Sequence, residues 1–103
     1  MFHVSAAANR DSILQHGLDW RRMGASGGIA GSRSPELPAI FLCDGRPDVD
    51  FFLRMARWPC DLWAVNVDDL WIENGPSGWL VVPQVIAADR VRLAETDIAP
   101  QRR

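Results

Sequence analysis

His3 and Ser5, two residues apart near the start of the chain, are the first pair able to do chemistry together. Phe2-His3-Val4-Ser5 alternates in residue type, which predicts an opening strand, and a period of two puts both side chains on one face. An imidazole and a hydroxyl side by side can offer a ligand two hydrogen-bonding groups. The plainer alternative for His3 is a half-buried strand-end residue bonded to backbone. His16 falls at the end of a predicted helix, where a cation favours the exposed carbonyls, so a capping role is expected. Two histidines this far apart, without Cys or Glu at helical intervals, predict no metal site.

The cations are as restricted as the histidines. All 11 are Arg and none is Lys, so every anion grip here is a planar, permanently charged guanidinium. Schiff-base and lysine-nucleophile chemistry is excluded. Arg21 and Arg22 follow Trp20, and Arg33 lies a short way on; three guanidiniums around one loop can hold a pyrophosphate bidentately. A solvated surface pair balanced by Asp11, Asp19 and Glu36 is the alternative. Among acid–base candidates, Glu73 sits at the end of a predicted strand beside a turn, and Gln84 and Asp89 flank Val85-Ile86. Ser5, Ser12 and Cys43 have no recognisable base nearby in sequence, so nucleophilic hydrolysis is not indicated. The five Trp are expected mainly in the core, with one free to stack on a planar ring.

These residues need elements to hold them. A short helix is predicted from about Arg10 to His16, with Asn9 as its cap and Gly17 just past its end. Leu18 is expected to fold back on Ile13, and Ile13, Leu14 and Leu18 to dock on a sheet, because two turns are not stable alone. The fifteen residues from Gly24 to Pro38 read as a loop of functional length. They lack the Gly-Lys-Ser/Thr ending of a phosphate-binding loop. Ala39 to Cys43 reads as a buried strand, with Cys43 a buried reduced thiol. A helix opening at Pro47 or Asp48 then buries Val49, Phe52, Leu53 and Ala56, and Pro59 stops it. Leu62 to Val67 alternates, with Trp63, Val65 and Val67 on one face. Leu70 to Glu73 and Gly78 to Val82 form a hairpin around Asn74-Gly75-Pro76-Ser77, and Arg90 to Leu93 makes a last short strand.

The chain length of 103 residues, with 48% hydrophobic residues, suits one domain with a real core. The domain is expected over residues 1–95, with 96–103 a frayed tail. A formal net charge of −2 excludes the uniformly basic surface of sequence-blind nucleic-acid binding. No secretory signal and no apolar run of membrane length occur, so a soluble, reducing, cytoplasmic setting is expected. The element pattern predicts an α+β fold with a mixed or antiparallel sheet and two short helices.

Three stretches together resemble a known family. His3-x-Ser5, then Ala8-Asn9-x-x-Ser12-Ile13-Leu14-x-His16-Gly17-Leu18, then Ile40-Phe41-Leu42 after a loop, are similar to small members of the ADP-ribosyltransferase-like fold. Those members open on Tyr-His-Val-Thr followed by a Ser-Ile-Leu-x-x-Gly-Leu helix. Pro83-Gln84-Val85-Ile86-Ala87-Ala88-Asp89-Arg90-Val91 is similar to their Glu-x-Ile-Pro-Pro-Glu-x-Ile tail, so the likeness runs from about residue 1 to 93. The resemblance implies a split sheet that holds NAD and breaks its nicotinamide–ribose bond through an oxocarbenium-like state. ADP-ribose would pass to a protein or nucleic-acid acceptor, or NAD would be cleaved. It implies that His3 bonds a ribose hydroxyl, with Ser5 near the nicotinamide ribose. Phe41 is the nearest match to the family's stacking Tyr. Arg21, Arg22 and Arg33 are the candidate anion grip. The family's catalytic Glu has no clear counterpart, leaving Glu73 and Gln84 as candidates. Two alternatives stay open: a catalytically silent interaction domain of the same fold, and an RNA 2′-phosphotransferase-like enzyme. The latter needs Arg before the first His, where this chain has Phe2. No metal and no membrane partner are expected.

Overall fold

A computed structural model describes residues 1–19, 40–75 and 79–100. The described chain is α+β, with two helices and two antiparallel three-stranded sheets. β1 is Phe2–Ala6, α1 Arg10–His16, β2 Ile40–Leu42, α2 Arg46–Met55, β3 Cys60–Val65, β4 Glu73–Asn74, β5 Leu80–Val82 and β6 Val91–Ile98. One sheet has the order β1-β3-β6 and the other β2-β5-β4. Backbone joins them where Phe2 and Cys43 exchange hydrogen bonds of 2.9 and 2.7 Å.

β3 is the centre of the molecule. Its residues are buried on both faces except for half-buried Ala64, as expected of a strand covered from two sides. Cys60 and Leu62 join Val4, Cys43, Val49, Phe52, Leu53 and Ala56 in the core beneath α2. Trp63 and Val65 turn the other way, into a second core with Ile13, Leu18, Ile40, Leu42, Val82 and Ile86. Because His3 pairs with Trp63 and Ser5 with Asp61, His3 and Ser5 share the face of this second core. The predicted common face of the pair is therefore present, and it is an inner one.

α2 follows its apolar spacing, and α1 does so only at Ile13. α1 spans Arg10–His16 as predicted, after a 3₁₀ turn over Ala7–Asn9, but the Asn9 side chain makes no cap bond. Only Ile13 is buried along α1, and Leu14 is 55% exposed, so Leu14 does not dock. Gly17 N–H closes the helix on the Ile13 carbonyl, whereas Leu18 exchanges hydrogen bonds with Ile86. Leu18 and Ile13 thus meet within a shared core rather than through a local helix-end motif. α2 opens one residue before Pro47 and buries Val49, Phe52 and Leu53, with Ala56 just beyond its end. It stops at Met55, earlier than Pro59 alone required.

The last strand is twice its predicted length. β6 runs to Ile98, across the boundary drawn at residue 95, and pairs Ile98 with Cys60. Two irregularities in register let it follow β3, because Thr96 and Asp97 together lie opposite Asp61 and Ala94 is also unmatched. Glu73–Asn74 pairs with Leu80–Val82 as a hairpin, but shifted from the expected one. Residues 70–72 lie outside the strand, Asn74 belongs to it rather than to the turn, and residues 76–78 lie outside the described residues. No helix among the described residues is long and apolar enough to cross a membrane.

Candidate functional site

Where β1 leaves its contact with Cys43, the His3 ring fills the space toward β2. Its Nδ1 lies 2.8 Å from the Phe41 carbonyl oxygen. A carbonyl only accepts, so Nδ1 carries the proton and donates. That assigns the tautomer and leaves Nε2 with a lone pair. His3 is 7% exposed, and Nε2 is buried with no partner among the described residues. Burial drives the imidazole pKa down to about 4 against the opposing pull of the Phe41 hydrogen bond, so the ring is neutral at pH 7. The backbone-bonded alternative is half realised: one nitrogen is satisfied by backbone, and the other is an acceptor waiting for a donor. An orphan of this kind costs about 1–3 kcal/mol unless something fills it.

The other candidates fall differently. Ser5 is buried on the same face, across from Asp61. Phe41 meets His3 through its carbonyl, while its half-buried ring packs against the core beneath α2. Glu73 is exposed on β4, and its Oε2 accepts a 2.8 Å hydrogen bond from the Trp71 indole. Gln84 is exposed after β5. Arg21, Arg22 and Arg33 lie outside the described residues. The structure therefore brings together His3, Ser5 and the Phe41 backbone, whereas Glu73 is bonded to Trp71 and Gln84 is exposed. No group of three metal-ligating side chains occurs among the described residues. Cys43 and Cys60 are free and buried. Burial pushes the thiols up to about 12 and about 11, with help from Asp48 and Asp61 respectively, so neither is a ready nucleophile.

A polar cluster that the sequence reading did not single out stands beside Ser5. Asp61 is fully buried, and Arg10 holds it with two hydrogen bonds, Nε to Oδ2 at 2.7 Å and Nη2 to Oδ1 at 2.8 Å. The Asp97 N–H donates to Oδ1 at 2.9 Å, and the Asp97 carboxylate lies 3.0 Å from Arg10 Nη2. Burial by itself would raise the Asp61 pKa; the Arg10 and Asp97 hydrogen bonds and the Arg10 charge outweigh it and bring it below the usual value. This clasp occupies the end of the face that carries His3 and Ser5. The only sequence signal was an Asp opening an otherwise apolar strand, with Arg at the first position of a helix.

Comparison with family models, with curated proteins and with solved structures finds no match for this chain.

Proposed function

We propose that this chain is an ADP-ribosyltransferase-like domain that binds NAD or a closely related nucleotide on the His3–Ser5 face of β1. The observation that carries the reading is the buried, neutral His3 whose Nε2 has no partner among the described residues. A ribose hydroxyl supplies what that nitrogen lacks, a donor of matching polarity. The resemblance of His3-x-Ser5 and of the Ser12-Ile13-Leu14 helix to that family supports the same assignment.

What supports a ribose hydroxyl is the unpartnered acceptor at His3; neither Glu73 nor Gln84 supports a catalytic carboxylate there. When bound, NAD would supply an activated glycosidic bond from which nicotinamide departs as a neutral molecule. His3 would orient the ribose by accepting one hydroxyl proton, and its own Nδ1–H bond to Phe41 would keep Nε2 aimed. The apolar residues around it, Ile40, Leu42 and Trp63, would keep water from the ring. Arg21, Arg22 and Arg33 remain the proposed grip on the pyrophosphate. Glu73 is exposed and engaged by Trp71, and Gln84 carries no charge. Binding is thus better supported than transfer to a protein or nucleic-acid acceptor. A cytoplasmic setting belongs to the same proposal, in keeping with two free thiols.

Calorimetric titration with NAD and with ADP-ribose is the test. Binding is expected, and His3→Phe, which keeps a ring and removes the acceptor, should weaken it about ten-fold or more. Absence of heat with either nucleotide at millimolar concentration, in a chain shown to be folded, would overturn the proposal. One observation favours the catalytically silent alternative: Trp71 is 67% exposed. Trp79, by contrast, lies half-buried against Phe51 and Phe52, so the two do not make one open Trp surface. Nicotinamide release in the presence of nucleophiles separates the two readings.

A further inference from the structure

His3 has company on its face. Its register partner across β1 and β3 is Trp63, a wholly buried side chain whose indole Nε1–H has no acceptor among the described residues. Register partners on neighbouring strands present their side chains on the same face, with Cβ atoms about 4.5–5.5 Å apart. One carries an acceptor without a donor, the other a donor without an acceptor, and they are not bonded to each other. Two orphaned polar groups on facing positions of one strand pair need a common explanation. A third orphan, Trp58 Nε1, belongs to the core beneath α2, on the opposite face.

The chemistry of the pair is selective. A carbonyl or carboxylate oxygen accepts from the indole and offers nothing to a neutral imidazole lone pair. An ammonium does the reverse. A hydroxyl oxygen satisfies both at once, its lone pair taking the indole proton and its own proton going to Nε2. Ile13, Leu18, Ile40 and Leu42 share this core, so both hydrogen bonds would form in a low-dielectric setting that strengthens them. We propose that Trp63 and His3 form a two-point site for one hydroxyl group, the indole N–H donating to the oxygen and His3 Nε2 accepting its proton, and that a ribose hydroxyl occupies it. The ligand's identity rests on the nucleotide reading above; the new element is Trp63 as the second binding residue.

Nuclear magnetic resonance of the ¹⁵N-labelled full chain tests this, with ADP-ribose as probe and the indole signals assigned by triple resonance. The Trp63 indole proton is expected to move downfield as ADP-ribose binds. Trp63→Phe, which removes the N–H and keeps an aromatic ring, should weaken ADP-ribose binding about ten-fold. If Trp63→Phe does not fold, the wild-type shift alone decides. Binding of ADP-ribose without movement of the Trp63 signal would overturn the two-point site and leave the nucleotide reading standing. No ADP-ribose binding at all would remove the nucleotide reading and the proposed occupant together. An internal water is the other source of such an oxygen. Cross-relaxation between the indole proton and a long-lived water that disappears on adding ADP-ribose supports the proposal, whereas water that persists beside bound ADP-ribose overturns it.

Discussion

His3 carries the functional reading and also a measurable cost. Its folded-state pKa of about 4 lies below the ordinary 6.5 because burial penalises the imidazolium, and the Phe41 carbonyl only partly offsets that. Between those values the unfolded chain binds a proton that the folded chain refuses. The stability tied to neutral His3 is therefore full above pH 6.5 and is lost as pH falls toward 4. The difference is roughly 2 kcal/mol between pH 7 and pH 4.5. Asp61, the buried carboxylate on the same face, titrates below the usual carboxylate range, so its acid sensitivity falls in a lower window. Urea denaturation at the two pH values, compared between wild type and His3→Gln, isolates the histidine. Gln can still donate to Phe41 but does not titrate, so the variant should lose about 2 kcal/mol less on acidification. Equal losses in the two proteins would mean that His3 is hydrated and charged, contrary to its buried, neutral assignment.

At the scale of elements, the turn after α1 is set by one glycine. Gly17 has φ +77°, and a Cβ built there would lie 2.1 Å from the Ile86 carbonyl oxygen and 2.7 Å from the Ala88 nitrogen. Both contacts are to backbone, so neither can swing aside. Gly17→Ala should cost about 2 kcal/mol or more, from left-handed strain together with parting of the Leu18–Ile86 bridge; chemical denaturation measures it. A loss below about 0.5 kcal/mol would show that the 86–88 segment gives way freely. The sequence marked Gly17 as a helix end because Gly follows an apolar-periodic turn, and it gave the bounds of α1. It did not reveal Ile86 as the neighbour, since the adjoining Leu18–Ile86 bridge joins residues 68 positions apart. Leu14 stays exposed for a related reason: spacing within a two-turn helix cannot say which face the tertiary structure covers. β6 was read short because Ala94 to Asp97 breaks alternation, and the register shifts that tolerate this break depend on β3. On the candidate site, the His3–Ser5 face followed directly from period two. The orphaned Trp63 indole and the Arg10–Asp61–Asp97 clasp did not, because both depend on strand pairing.

Over the whole molecule, the two sheets meet at Phe2 and Cys43, while the far end of β1 is tied down by the clasp. Arg10 opens α1, Asp61 stands on the central strand and Asp97 belongs to the last strand, so a single buried carboxylate connects the beginning, middle and end of the described chain. Asp97 has φ +52° and sits where β6 carries an extra residue opposite Asp61. Its N–H, turned out of the ladder, finds its acceptor in the Asp61 carboxylate. Asp61→Ala removes that acceptor and the main partner of Arg10 together. The expected loss is about 3 kcal/mol, the low end for breaking a buried ion pair, because Arg10 is partly exposed and can rehydrate. Asp61→Asn keeps an acceptor for Asp97 and should lose less. Hydrogen exchange adds the spatial readout: β6 amides near Ile98 should lose protection in Asp61→Ala before those of β1 paired to β3. Uniform loss across both strands would mean that the clasp supports the whole fold rather than fastening its last strand. If β6 opens first, the His3–Ser5 face should remain assembled in Asp61→Ala, and ADP-ribose affinity should change less than stability does. That separation would place the proposed nucleotide site at the sheet junction and the clasp at the other end of the same face, so that the proposed binding and closure of the fold draw on different residues of β1 and β3.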